Sequence, residues 1–276
     1  MNYRHAYHAG NFADVHKHAV LTLLLAHLRR KETPFHVLDS HAGIGRYDLF
    51  GEQAGKTGEY EDGIRKLVTP TIEHPLLNDY LALVRAENSD DIVHFYPGSP
   101  RLIRASLRDD DRMTLVELHP EDAETLRTLF QRDRQVSIRE EDAYQALKAC
   151  LPPKERRGLV LIDPPYEVKD EFQRMIKGLG EALKRWPTGV YALWYPIKSD
   201  SECQRFTDEL INFGRPCLTS ELMRYETNDD TRLNGSGLAL INPPWQLDEQ
   251  LESLLPLLHK RLGCQGRTRV RWLKTA

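Results

Sequence analysis

Four near-continuous apolar runs of strand length punctuate the chain: Phe35-His36-Val37-Leu38-Asp39, Met113-Thr114-Leu115-Val116-Glu117, Leu159-Val160-Leu161-Ile162-Asp163 and Val190-Tyr191-Ala192-Leu193-Trp194. Runs of this kind suit parallel strands covered on both faces, and ligands gather at the carboxyl ends of such strands. The first three end in an acid, Asp39, Glu117 and Asp163, which points to a site along one edge of the sheet. Between the runs, apolar positions recur at three- and four-residue intervals over 14–31, 120–131, 143–150 and 170–186, so helices are expected there. Val136-Ser137-Ile138 supplies a further strand, and 217–225 and 237–242 two more, joined through a hairpin loop over the polar stretch 226–234. The pattern predicts a doubly wound α/β sheet of about seven strands, mostly parallel, with the last two antiparallel.

Between Gly45 and Met113 the connection is far longer than one crossover helix requires. Helical periodicity over 60–67 and 76–88 marks this stretch as a small helical insertion. The expected division is a core of 1–48 and 96–276 with an inserted helical subdomain at 49–95. A chain of 276 residues accommodates such a plan, and no internal repeat competes with it.

Composition narrows the class. With 40% hydrophobic and 29% charged residues, the chain reads as an ordered soluble protein. The N-terminus lacks the apolar core of a signal peptide, and the apolar stretch 19–28 is too short to span a bilayer, so a cytoplasmic protein with no membrane partner is expected. Cys150, Cys203, Cys217 and Cys264 form no C-x-x-C pair, which argues for free thiols over a disulfide framework or zinc ribbon. A net charge of -3 gives no global signature of a nucleic-acid binder. Any phosphate contact must come from local groups: Arg29-Arg30-Lys31, the trio Arg101, Arg104 and Arg108, Lys154-Arg156-Arg157, or Arg267-Arg269-Arg271. Each is by default a solvated face.

The first strand runs into Asp39-Ser40-His41-Ala42-Gly43-Ile44-Gly45, where Gly43 permits close approach of backbone to a ligand. The turn lacks the G-x-G-x-x-G spacing and the acid about twenty residues onward that a nicotinamide site requires. Glu117, closing the second strand, is placed to accept ribose hydroxyls of a nucleoside-bearing cofactor, and Asp142 to receive that cofactor's adenine amine. Asp163-Pro164-Pro165-Tyr166 is the most specific signal. Two prolines remove two backbone donors and stiffen the turn, so the Asp163 carboxylate and the Pro164 carbonyl can face one amino group. An exocyclic amine conjugated to a ring is a poor nucleophile. Two acceptors on its hydrogens favour pyramidal geometry and disperse the positive charge that develops as it attacks a sulfonium methyl. Tyr166 can stack on a base that has left its helix. A similar tetrapeptide, Asn242-Pro243-Pro244-Trp245, follows the last strand, away from the glycine turn, and is read as structural. The segment 3–18 is rich in histidine and aromatics, yet its spacing matches no metal signature; substrate and cofactor contacts are expected there and no metal.

These features together resemble the RlmJ-type large-subunit ribosomal RNA adenine-N6 methyltransferases. The likeness rests on Tyr3-Arg4-His5, His8-Ala9-Gly10-Asn11, Ala13-Asp14-Val15 and Lys17-His18; on Asp39, His41-Ala42-Gly43, Thr57-Gly58-Glu59-Tyr60 and Tyr96-Pro97-Gly98-Ser99-Pro100; and on Glu117-Leu118-His119-Pro120, Asp163-Pro164-Pro165-Tyr166-Glu167 and Tyr191-Ala192-Leu193-Trp194-Tyr195-Pro196. It implies a Rossmann-like class I fold using S-adenosylmethionine, with cofactor contacts from His18, His41, Gly43, Ser99, Glu117, Asp142, Ala143 and Asp163. Asp163, Pro164 and Tyr166 would be catalytic, and Tyr3, Lys17 and Tyr166 would meet the substrate. The implied partner is 23S ribosomal RNA, free or in an early assembly particle, methylated at one adenine (position 2030) by a monomer. Other readings remain open on the residues alone: a DNA adenine-N6 methyltransferase or a factor in the use of external DNA, a protein-glutamine methyltransferase, or a non-catalytic cofactor- and RNA-binding assembly factor. Adenine rests partly on chemistry; ribosomal RNA rests on resemblance alone.

Overall fold

A computed structural model describes residues 4–68, 73–89, 92–226 and 229–275. Asn11 starts the first helix, α1 (Phe12–Arg29), by accepting the N–H groups of Ala13 and Asp14 at 2.9 Å each. This cap lies three residues before the start that apolar periodicity suggests. α1 is buried on every side from Phe12 through Leu25, packed against the sheet and later helices rather than presenting one face to water.

The chain continues through β1 (His36–Asp39), β2 (Arg46–Asp48), α2 (Glu52–Thr57), α3 (Arg65–Val68), α4 (Pro75–Ala86), β3 (Phe95–Pro97) and α5 (Ser99–Ser106). Next come β4 (Arg112–Glu117), α6 (Pro120–Leu129), β5 (Val136–Glu140), α7 (Ala143–Cys150), β6 (Gly158–Ile162) and α8 (Glu171–Arg185). β7 (Val190–Ile197), α9 (Asp200–Ile211), β8 (Cys217–Met223), β9 (Gly235–Ile241), α10 (Leu247–Leu262) and β10 (Thr268–Lys274) complete it.

The main sheet has eight strands in the order β10-β8-β9-β7-β6-β1-β4-β5. β5, β4, β1, β6 and β7 are parallel, β9 runs against β7 and β8, and β10 runs against β8. Central strands such as β6 are wholly buried, as their unbroken apolar runs require. The sheet is thus a mostly parallel α/β sheet, with one strand more than the seven expected. The extra strand is β10. Its arginines sit on an edge strand whose outer side faces water, so their alternation with apolar residues read as a charged patch. In the structure Arg267 pairs with Asp200 and Arg269 with Glu221. Four other basic candidates are similarly engaged: Arg101 with Glu87, Arg104 with Asp133, Arg108 with Asp111, and Arg157 with the carbonyls of Leu28 and Thr33.

Within the long connection, β2 and β3 pair as a separate two-stranded ribbon, Tyr47 opposite Tyr96. Leu77, Tyr80, Leu81 and Val84 of α4 join the same apolar cluster as α1 and α10. α4 is therefore docked on α1, and Tyr96 of β3 reaches His18 of that helix. All four cysteines are free thiols. Among the described residues no helix is long and apolar enough to cross a membrane.

Candidate active site

β1 lies between β4 and β6, so the turns after these three parallel strands open side by side. In the first turn Gly43 has φ +61°, and a Cβ there would stand 2.4 Å from the Tyr47 hydroxyl. Glycine alone fits without strain. The Gly43 N–H donates to Glu117 Oε2 and the His119 N–H to Oε1, each at 2.8 Å. Two backbone donors thus fix the carboxylate at the end of β4 while each oxygen keeps a free lone pair. Burial pushes the Glu117 carboxyl up, against the pull of those N–H groups.

Asp142 caps α7. Its Oδ1 accepts the N–H groups of Tyr144 and Gln145 at 3.0 and 3.1 Å, and its Oδ2 takes Arg174 at 3.1 Å. Ala143 and Ser99 are the buried first residues of α7 and α5. A single cavity of about 840 Å³ joins these turns. It is lined by His18, His41, Gly43, Ser99, Glu117, Asp142, Ala143, Asp163, Pro164, Tyr166 and Lys17. Tyr3 lies outside the described residues.

Where the cavity meets α1, Lys17 Nζ lies 2.5 Å from Asp163 Oδ2 and 2.9 Å from Asp14 Oδ1. Asp14 also holds His5 Nε2 at 2.9 Å and accepts the Gly10 N–H at 2.9 Å. Burial would raise the Asp14 carboxyl, but His5 and Lys17 hold it well below the usual carboxylate range. Burial likewise works against the Lys17 ammonium, and the two carboxylates reverse it, so its pKa is raised. Lys17 therefore stays charged and neutralises two acids at once.

The histidines of the N-terminal segment go to separate partners. His8 meets Glu59 at 3.0 Å, His16 sits between two serine hydroxyls, and His18 Nδ1 lies 2.6 Å from the Tyr96 hydroxyl, itself 2.9 Å from that of Tyr80. Burial lowers His18 to about 3 and His41 to about 4, so both rings are neutral at physiological pH. Among the described residues no group of three or more His, Cys, Asp or Glu is arranged to hold a metal ion.

Residues 32–274 match the family model described as "Ribosomal RNA large subunit methyltransferase D, RlmJ". The chain belongs to the RlmJ family. It is 42% identical to ribosomal RNA large subunit methyltransferase J of Escherichia coli K12, covering 99% of both chains. Its identity to the Haemophilus influenzae protein of the same name is also 42%, over 96% of this chain and 95% of that one. A crystal structure of a Legionella pneumophila protein, 32% identical, superposes with a TM-score of 0.90 over 96% of this chain and 98% of that one.

For a member of the RlmJ family, the second Pro-Pro turn needs an account. Because β9 runs against β7, Asn242 stands at the opposite end of the sheet from Asp163. Its side-chain amide donates to the carbonyls of Pro187 and Gly189 at 3.0 and 2.8 Å, which gives it a structural task. Among the cavity residues to which the sequence assigned no role are Asp14, Trp194 and Arg174. Asp14 is an acid inside an apolar helix, a signal that was available. Trp194 looked like one more strand residue, and Arg174 one more helical charge. Asp39, at the end of β1, is fully buried with Oδ2 unpartnered among the described residues, and burial pushes its carboxyl up to about 7.

Proposed function

We propose that the protein transfers a methyl group from S-adenosylmethionine to the N6 amine of one adenine in 23S ribosomal RNA, at the 2030 position that the family resemblance implies. The observation that carries this reading is the shared cavity: the Asp163-Pro164-Pro165-Tyr166 turn opens on the same space as the glycine turn and the fixed Glu117 carboxylate. The residues suit the cofactor. Glu117 keeps a lone pair on each oxygen for ribose hydroxyls, the Gly43 turn lets backbone come close, and neutral His18 and His41 add no charge against a sulfonium. S-adenosylmethionine supplies an electrophilic methyl group.

Toward the substrate, the Asp163 carboxylate and the Pro164 carbonyl accept the two amine hydrogens. This disfavours conjugation of the nitrogen lone pair with the ring and stabilises positive charge as it forms. Lys17 on Asp163 Oδ2 leaves Oδ1 for the amine. Tyr166, with φ +53° and its hydroxyl donating to the Trp194 carbonyl at 2.9 Å, has its ring fixed beside that position.

The test is methyl incorporation into unmodified 23S ribosomal RNA by the unaltered protein and by Asp163→Ala, with the product nucleoside identified. Loss of N6-methyladenine in the variant is expected. Undiminished transfer by Asp163→Ala sinks the catalytic assignment, and transfer to DNA in place of ribosomal RNA sinks the substrate.

A further inference from the structure

Like Asp163, Pro164 and Tyr166, Trp194 of β7 lines the cavity. Lys17 Nζ lies over its ring, 5.9 Å from the centroid, while the same Nζ is 2.5 Å from Asp163. An amine hydrogen-bonded to Asp163 must come within a few ångströms of that ammonium, and so within reach of the same indole face. Tyr166 meets Trp194 at 5.7 Å and 73°, making a corner and not a parallel slot. A planar base lying on one ring presents its edge to the other.

The indole is held by a buried relay. Its Nε1–H donates to Ser236 Oγ at 3.0 Å. Ser236 Oγ lies 2.9 Å from His16 Nδ1, and His16 Nε2 lies 2.9 Å from Ser220 Oγ. An indole N–H only donates. The Ser236 proton then has an acceptor among the described residues only if it goes to His16 Nδ1, which makes Nε2 the protonated nitrogen and the donor to Ser220. Burial lowers His16 to about 3, so the ring stays neutral and the direction of the relay is kept across the neutral range. His16, Ser220 and Ser236 are buried and stand away from the cavity wall.

We propose that Trp194 is the stacking wall for the target base and that Ser236, with His16 behind it, is a positioning residue that fixes the plane of the indole. The inference rests on the reading that Asp163 receives a base amine. It goes further by naming the surface that selects a planar aromatic substrate.

Steady-state methylation of 23S ribosomal RNA, with S-adenosylmethionine affinity measured separately by calorimetry, tests it. Trp194→Ala should lower kcat/KM for RNA by about 5- to 150-fold, the range of base–aromatic stacking, with cofactor affinity within about twofold of the unaltered protein. Ser236→Ala should lower it by about 2- to 10-fold through loss of one hydrogen bond, and should cost nothing more when added to Trp194→Phe, which already lacks the N–H. Should Trp194→Ala not fold, Trp194→Phe and Ser236→Ala carry the comparison. Trp194 variants that keep full kcat/KM, a loss that appears as weaker cofactor binding, or Ser236 and Trp194 effects that simply add would each overturn the proposal. An unaltered protein inactive on the RNA would overturn the functional reading and this inference together, whereas an active enzyme indifferent to Trp194 overturns the inference alone.

Discussion

Replacing Lys17 by methionine keeps the buried aliphatic stem and removes the cation shared by Asp14 and Asp163. Lys17 is 6% exposed, Asp14 2% and Asp163 16%, so Asp14 cannot recover its lost partner from bulk water and Asp163 can do so only through the cavity. Removing one member of a buried ion pair costs about 3–5 kcal/mol, mostly the penalty of the charge left behind. Asp14 retains His5 and the Gly10 N–H, and Asp163 faces an open cavity, which favours the lower end, about 3 kcal/mol at pH 7. At roughly 2–4 °C per kcal/mol for a chain near this size, Tm should fall by roughly 6–12 °C. In the unaltered protein Asp14 is depressed, so its contribution is present above the unfolded carboxylate value of about 3.9 and is lost as pH falls through the lower folded value. In Lys17→Met burial acts on Asp14 with less opposition and its folded pKa rises. The deficit should therefore be largest at neutral pH and shrink toward pH 5. Urea unfolding of both proteins at pH 7 and pH 5 measures this. A deficit below 1 kcal/mol at pH 7, or one that grows on acidification, would refute the reasoning.

Two further outcomes are expected. Gly43→Ala forces a left-handed alanine against the Tyr47 hydroxyl beside Glu117, so S-adenosylmethionine affinity should weaken by about tenfold or more in calorimetry; binding within twofold contradicts the role given to this turn. The hydrogen bond to Glu59 raises the His8 pKa, so what this pair adds to stability is present below the unfolded value of about 6.5 and fades as pH rises through the folded one. In Glu59→Gln, NMR titration should find His8 shifted down, and an unmoved pKa would show the pair to be misassigned.

The strands around the site were legible because burial on both faces leaves them few polar positions: β1, β4, β6 and β7 all appear as near-continuous apolar runs. α7 matched its expected span because a cap and regular periodicity agree there. β10 was hidden by the alternation of arginine with apolar residues on an edge strand, and α10 contains Pro256, which reads against a helix. Within the site, strand-end acids could be found from their position, since topology alone brings such ends together. The Lys17 network could not, because it depends on how α1 lies across the sheet. The relay behind Trp194 joins residues more than two hundred positions apart, and no local pattern records it.

The reversal of β9 acts as insulation. The two Pro-Pro turns share nearly the same letters, and a chain with both at one edge would offer a base two competing acceptors. By register Asp163 lies level with Trp194 and Asn242 with Val190, so about four strand residues at about 3.3 Å each, roughly 13 Å of packed sheet, separate them along the strands. A mutation converting Asn242 to aspartate would therefore reproduce the Asp163-Pro164-Pro165-Tyr166 tetrapeptide nearly letter for letter and still deliver its carboxylate to the end of the sheet away from the cavity. In this chain the direction in which a strand runs, as much as the residues at its tip, decides which copy of the motif opens on the cavity.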